Sequence, residues 1–265
     1  MLAAAGESIH IATFSFMRDK TTARLCDLLR SKMNEGVEMH LIVDDAVLYS
    51  TFSGLRVDGL ARDGAQVLRY HRLFRDWLCG SIGQIVKTTK LKLKGRFHEK
   101  YFVVDGKEAI LGGMNWGDKY AQGGASPRAW RDSDCYINGP VVADIQSQYL
   151  RDVYLYDAME REYAAHTEAG FDRQAFFDEA KWKGEALIQQ QSPVYFPKLE
   201  VTGDEKIRYV LHKPYDEGRL RLTEAYLIMF REAKKSSTGG ATEFAHRALL
   251  PTRSPRPSAA EWRCD

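Results

Sequence analysis

Residues 9–17, Ile-His-Ile-Ala-Thr-Phe-Ser-Phe-Met, form an apolar, β-branched and aromatic run, the pattern of a buried strand. Asp19 follows as an N-cap, and Leu25, Leu28, Leu29 and Met33 then recur at helical spacing until Gly36, a natural C-cap. Residues 37–43 read as a second strand ending at Asp44-Asp45, residues 55–61 as a short helix, and residues 66–70, after Gly64, as a third strand. Strand–helix–strand alternation of this kind predicts an α/β fold: a mixed, mostly parallel sheet flanked by helices.

The pattern breaks over residues 71–95, which hold Trp77, Cys79, Gly80 and a basic series, Lys87, Lys90, Lys92 and Lys94, with Arg96 just beyond. An inserted loop or hairpin is expected there. Its lysines suit a solvated face or a rim that attracts phosphate. Residues 97–104 and 109–111 read as two strands joined by a turn at Asp105-Gly106. Residues 141–156, entered after Pro140, carry Val142, Ile145, Tyr149 and Val153 on an amphipathic helix. Residues 206–211 read as a further strand and residues 220–233 as an amphipathic helix. From residue 236 the chain is rich in Ser, Thr, Gly, Ala, Arg and Pro without periodicity, and disorder is expected. The expected division is 1–156 as one lobe, 157–200 as a connecting region with one or two helices, 201–235 as the start of a second lobe, and 236–265 as a tail.

Composition adds bounds more than direction. With 265 residues, 44% of them hydrophobic, the chain can bury a real core. Lys+Arg 38 against Asp+Glu 36 leaves a net charge of +2, so overall charge selects no class of partner. Cys26, Cys79, Cys135 and Cys264 form no CxxC pair and read as free thiols, the first three as small buried side chains. No stretch approaches the roughly 18 consecutive apolar residues of a membrane span, and the start lacks the basic leader of a signal peptide. These features predict a cytoplasmic or peripheral-membrane location.

The chemistry concentrates in Phe97-His98-Glu99-Lys100-Tyr101-Phe102-Val103-Val104-Asp105-Gly106, followed by Ile110-Leu111-Gly112-Gly113-Met114-Asn115-Trp116. Residues two apart on a strand share a face, so His98 and Lys100 project together. Gly112 and Gly113 let backbone come close to a bound group, and the Asn115 amide can donate to an oxyanion. An imidazole, an ammonium and a carboxamide on one face make a cradle for a phosphodiester. A neutral imidazole can attack phosphorus, and fixed cations and dipoles can stabilise the transferring group without a metal or other cofactor. Trp116 and Trp130 read as packing residues.

The segment resembles the HKD signature of the phospholipase D superfamily, HxK-x4-D-x6-G-[GS]-x-N, at His98, Lys100, Asp105, Gly112, Gly113 and Asn115. The wider resemblance covers roughly residues 1–156. It includes Gly36-Val37 and Trp130-Arg131-Asp132-Ser133-Asp134 leading to Gly139-Pro140, which looks like the branch containing cardiolipin synthases and related phosphatidyltransferases. The resemblance implies a catalytic set of His98, Lys100, Asp105, Asn115 and Asp132. In it His98 is the nucleophile, Lys100, Asn115 and Gly113 bind substrate, Asp132 orients the imidazole, and Asp105 holds the turn without touching substrate. It further implies phosphatidyl transfer or phospholipid hydrolysis through a phosphohistidine at a membrane surface.

The family reaction uses two such motifs, one histidine attacking while the other serves as acid and base. None of His10, His40, His71, His166, His212 and His246 is followed by lysine two residues later. The second histidine is therefore expected from a homodimer paired through the HKD face, or else the chain is an incomplete, truncated two-lobe enzyme. A metal-independent nuclease of the same superfamily is the rival reading. The near-balanced charge and the Trp130-Arg131-Asp132 block disfavour nucleic acid.

Overall fold

The computed structural model describes residues 1–50, 52–72, 96–121, 127–161, 170–190, 195–201, 203–211, 213 and 221–232. The basic series 87–94, Cys79, Cys264, and the tail 236–265 lie outside the described residues. Two compact units are present, Met1–Tyr209 and Val210–Asp265.

In the first unit a 3₁₀ turn, Leu2–Ala4, leads into β1 (Ser8–Thr13). Then come α1 (Lys20–Asn34), β2 (Glu38–Asp44), α2 (Asp45–Ser50), α3 (Gly54–Arg62) and β3 (Gln66–Tyr70). Asp19 caps α1 as the sequence predicts, its carboxylate accepting the Thr22 amide at 3.0 Å. After the undescribed segment come β4 (Tyr101–Val104), β5 (Glu108–Gly112), α4 (Asp118–Ala121) and β6 (Asp134–Asn138). The long α5 (Val141–Arg161) and α6 (Arg173–Gln190) come next.

The six strands form one sheet in the order β3-β2-β1-β4-β5-β6. β1 pairs in parallel with β2, and β2 with β3. The pairings β1–β4, β4–β5 and β5–β6 are antiparallel. The sheet is thus mixed, but the expectation of a mostly parallel one is corrected. β4 and β5 are joined by a turn too short for a crossover helix, and such a turn can connect only antiparallel neighbours. In that turn Asp105 and Gly106 both have positive φ, 53° and 61°. A Cβ on Gly106 would meet Pro197 Cδ at 2.8 Å, so glycine there also admits the 195–197 segment. The strand expected at 206–211 is corrected as well: the segment is irregular, with Ile207 52% exposed, and no ladder partner is present among the described residues.

One face of the sheet, with Ile9, Ile11, Leu41 and Val43, packs against Leu29 of α1 and Val57 and Leu60 of α3. The other face carries Val142, Ile145 and Tyr149 of α5, all fully buried. On that face His10 and His40, opposite each other in the β1–β2 register, stack at 4.7 Å, and Tyr195 meets His10 edge-on at 4.9 Å. In the second unit α7 (Arg221–Glu232) exposes Leu222, Tyr226, Leu227, Ile228, Met229 and Phe230. Among the described residues no helix is long and apolar enough to cross a membrane.

Candidate active site

The site lies at the edge of the sheet where the parallel strands end. Because β4 runs opposite to β1, its first residues come level with the last residues of β1. The approach to β4 is anchored from β2. The Arg96 guanidinium and the Phe97 amide both bond to the fully buried Asp44 carboxylate. Burial pushes the Asp44 carboxyl up, and these bonds oppose the shift. Phe97 is itself buried, edge-on to Tyr156 at 5.9 Å. His98 therefore leaves a fixed point and turns outward, exposed to solvent.

His98 and Lys100 meet directly: Lys100 Nζ lies 3.2 Å from His98 Nδ1 and donates to the His98 carbonyl at 2.6 Å. Phe14, just past β1, forms their floor, its ring 4.5 Å from the imidazole and 5.4 Å from the ammonium. Lys100 is only 9% exposed, so its charge acts in a partly desolvated setting where it counts for more than in bulk water.

The glycines do something that local pattern does not foretell. Gly112 sits in the ladder between Lys100, whose carbonyl accepts the Gly112 amide at 3.1 Å, and Asp134, its partner on β6. With no side chain on Gly112, the Asp134 carboxylate leans over it, where a Cβ would collide with Asp134 Oδ1. Asp134 accepts the Met114 amide at 3.1 Å. Burial raises its carboxyl pKa, with Asp132 adding to the rise and the Met114 and Gly113 amides and Lys100 opposing it. Gly113 gives its amide to the Ser133 carbonyl at 3.2 Å, and a Cβ there would lie 2.7 Å from Asp132 Cγ. Asp132 is exposed, and its carboxylate accepts the Ser133 amide at 2.9 Å.

Asn115 is 9% exposed; its Nδ2 donates to the Tyr120 hydroxyl at 2.8 Å, while its Oδ1 is buried without a hydrogen-bond partner. Trp116 stacks on Phe16 at 4.9 Å and packs against the core, whereas Trp130 is 54% exposed beneath Lys119 Nζ, 3.7 Å from its ring centre. Asp105 stands at the far end of β4. Its carboxylate accepts the amides of Gly6, Glu7 and Ser8 at 3.0, 2.8 and 2.9 Å, tying the start of β1 to the β4–β5 turn. Burial opposes ionisation there, but the three amides prevail and hold the carboxyl below its usual range. Cys26 is buried as expected; Cys135 on β6 is exposed, which corrects the expectation of burial.

Residues 1–153 match the family described as "Cardiolipin synthase, PLD-like domain". The chain belongs to this family. The cardiolipin synthase-like lobe is 28% identical over 144 residues to the cardiolipin synthase of Clostridium perfringens SM101, covering 54% of this chain and 28% of that enzyme. It is 32% identical over 149 residues to cardiolipin synthase A of Pseudomonas syringae pv. syringae B728a, covering 56% of this chain and 28% of that protein. The chain thus matches under a third of the length of these relatives. Among solved structures, the phospholipase D family member NUC from Salmonella typhimurium is similar at a TM-score of 0.41 and 15% identity, over 58% of this chain and 82% of that one.

Beyond the motif, the site contains three residues that the sequence did not single out: Phe14 under the imidazole, Asp134 over Gly112, and Tyr120 on Asn115. Asp134 was legible only as part of a family block. The other two carry no local signal.

Proposed function

We propose that this lobe performs phospholipase D-type phosphoryl transfer on phospholipids, of the phosphatidyl-transfer kind that its cardiolipin synthase relatives suggest. The observation that carries the reading is the direct meeting of the His98 imidazole and the buried Lys100 ammonium at 3.2 Å. His98 Nε2 attacks phosphorus, the bond to the first alcohol breaks, and that alcohol leaves with a proton from a general acid. An incoming alcohol or water then attacks the phosphohistidine and gives up its proton as the P–N bond breaks.

The geometry sets a condition on the first step. An ammonium can only donate, so Nδ1 accepts from Lys100 in this arrangement and the imidazole proton sits on Nε2. Attack through Nε2 requires that Lys100 pass to the phosphate oxygens and that Nδ1 carry the proton. Asp132 is the carboxylate we assign to hold that proton in place. Lys100 and Asn115 bind the phosphate oxygens, and Gly113 supplies the space in which Asp132 sits. We assign the acid–base histidine to a second copy facing the first across the HKD edge. No cofactor enters this scheme.

The test is a parallel assay of the purified chain on phosphatidylglycerol vesicles and single-stranded DNA, with a chelator present. Turnover of the lipid and an acid-labile phosphoprotein are expected, and His98→Asn is expected to remove both, a loss of at least 10³-fold as for a missing nucleophile, on the order of 4 kcal/mol. Unchanged turnover in His98→Asn refutes the reading, and cleavage of DNA alone transfers it to a nuclease.

A further inference from the structure

A carboxamide can be turned by 180° about its last torsion with its heavy atoms still in place, exchanging oxygen for nitrogen. The choice for Asn115 is decided by what surrounds it. With Nδ2 on the Tyr120 hydroxyl at 2.8 Å, the buried Oδ1 has no hydrogen-bond partner. Either atom left at that position without a partner is costly, so the amide's sense is set by which of the two a bound phosphate can satisfy. A phosphate oxygen could not fill the gap either, because it too only accepts. In the turned orientation the phenol donates to Oδ1, and the NH₂ occupies the position of the orphan atom as a donor.

We propose that Tyr120 is a positioning residue: its hydroxyl donates to Asn115 Oδ1 and so presents the Asn115 NH₂ to the phosphate. The inference rests on the phosphate-cradle reading above and deepens it by naming the group that fixes the amide's sense.

Tyr120 is placed for this role by the bonds that fix its turn. It sits on α4, a single turn, and is 5% exposed. Asp118 at the start of that turn accepts the Thr21 amide at 2.8 Å and gives its own amide to Asp19 at 2.7 Å. Asp19 is also the cap of α1, so the turn is tied to the N-terminus of that helix. The Trp116 carbonyl takes the Met17 amide at 2.9 Å and the Thr22 hydroxyl at 3.1 Å. On its outer side the phenol ring meets Trp130 edge-on at 5.4 Å, and the Trp130 amide donates to the Lys119 carbonyl at 2.7 Å. The ring is therefore held from both sides, and the hydroxyl has little choice of direction. Burial raises its pKa, the Asp132 charge adds to the rise and only a donating Asn115 NH₂ opposes it, so in the turned orientation the phenol keeps the proton it needs to donate.

The experiment is a double-mutant cycle on binding of tungstate, a tetrahedral oxyanion standing for phosphate, with the full chain as wild type, Tyr120→Phe, Asn115→Ala and the double variant. Affinity is read by calorimetry and the Asn115 side-chain NH₂ by ¹⁵N-edited NMR. Tyr120→Phe is expected to lower the thermal midpoint modestly while keeping the fold, weaken tungstate about tenfold, and abolish the tungstate-induced shift of the Asn115 NH₂ signal. The double variant is expected to bind no more weakly than Asn115→Ala alone, because the phenol acts only through the amide. Wild-type affinity in Tyr120→Phe, or additive losses in the double variant, overturns the positioning role while leaving the cradle intact. Absence of tungstate binding by the wild type, or an Asn115→Ala variant that binds as well as the wild type, overturns the cradle and this inference with it.

Discussion

Gly113 and Asp132 compete for one space. The family pattern accepts glycine or serine at this position, but here the Asp132 carboxyl carbon lies 2.7 Å from where a Cβ would be. Only the end of the exposed Asp132 side chain stands in the way, so Gly113→Ser is expected to turn that carboxylate aside and to keep the thermal midpoint within about 0.5 kcal/mol of the wild type. Lipid turnover should fall, because Asp132 leaves the place we assign to it. Gly113→Ser/Asp132→Ala should be as stable as the single variant and no more active. A loss of about 1–3 kcal/mol in the single variant, as for overpacking, would show that Asp132 has nowhere else to go. The same contact explains what could be read from the sequence at this scale. His98 and Lys100 are two apart on one chain, just ahead of β4, so their meeting is local although the strand expected from residue 97 begins only at Tyr101. Phe14 reaches His98 only because β1 and β4 are neighbours, and Asp134 reaches over Gly112 only because β6 pairs with β5. Those adjacencies belong to the sheet order, which no local pattern encodes.

Elements bounded by strong punctuation were legible. The run after Gly64 predicts a strand at 66–70, where β3 stands, and Asp19 marks the start of α1. Pairing direction was legible for the first three strands, where helices make the crossovers, and for β4–β5, where a short turn forces an antiparallel pair. β1–β4 and β5–β6 are antiparallel across long connections, which no local pattern encodes, whereas at 206–211 an apolar pattern without a ladder partner among the described residues yields no strand. What surrounds a polar residue on a strand was less legible than its burial. His10 lies in the run read as a buried strand and is fully buried, but its packing against His40 and α5 depends on the sheet order. Burial, followed by repulsion from His40, lowers its pKa to about 3. Burial also lowers the pKa of His40, with Glu38 opposing. An unfolded histidine titrates near 6.5. Between these values the unfolded chain takes up a proton that the folded chain refuses. The stability from a neutral His10 is thus complete above about pH 6.5 and declines as pH falls toward 3, at up to about 1.4 kcal/mol per pH unit. His10→Phe fills similar space without titrating, so its urea midpoint should fall less than that of the wild type from pH 7 to pH 4. Parallel curves for the two proteins would show that the buried imidazole does not govern the acid limb.

At the scale of the molecule, the sheet, both of its covered faces and every buried apolar side chain among the described residues lie within Met1–Tyr209. Among its described residues the other unit contributes the buried Lys213 and α7, whose Ile228 and Met229 are 59% and 56% exposed. Apolar surface that stays in water in the folded chain adds nothing to the free energy of folding, because the hydrophobic term scales with area removed from solvent. Residues 1–209 alone are therefore expected to fold with the same near-ultraviolet circular dichroism as the full chain and a thermal midpoint within about 3 °C of it, equivalent to about 1 kcal/mol for a unit of this size. The near-ultraviolet signal is the sensitive one, since Phe16, Trp116, Tyr149 and Tyr156 report packing on both faces of the sheet. Tungstate affinity of the shortened chain should also match, because His98, Lys100, Asn115 and Tyr120 all lie inside the unit. A lower midpoint with unchanged tungstate binding would mean that residues past Tyr209 brace the sheet away from the site. Loss of both would mean that the lobe and its candidate site depend on residues 210–265.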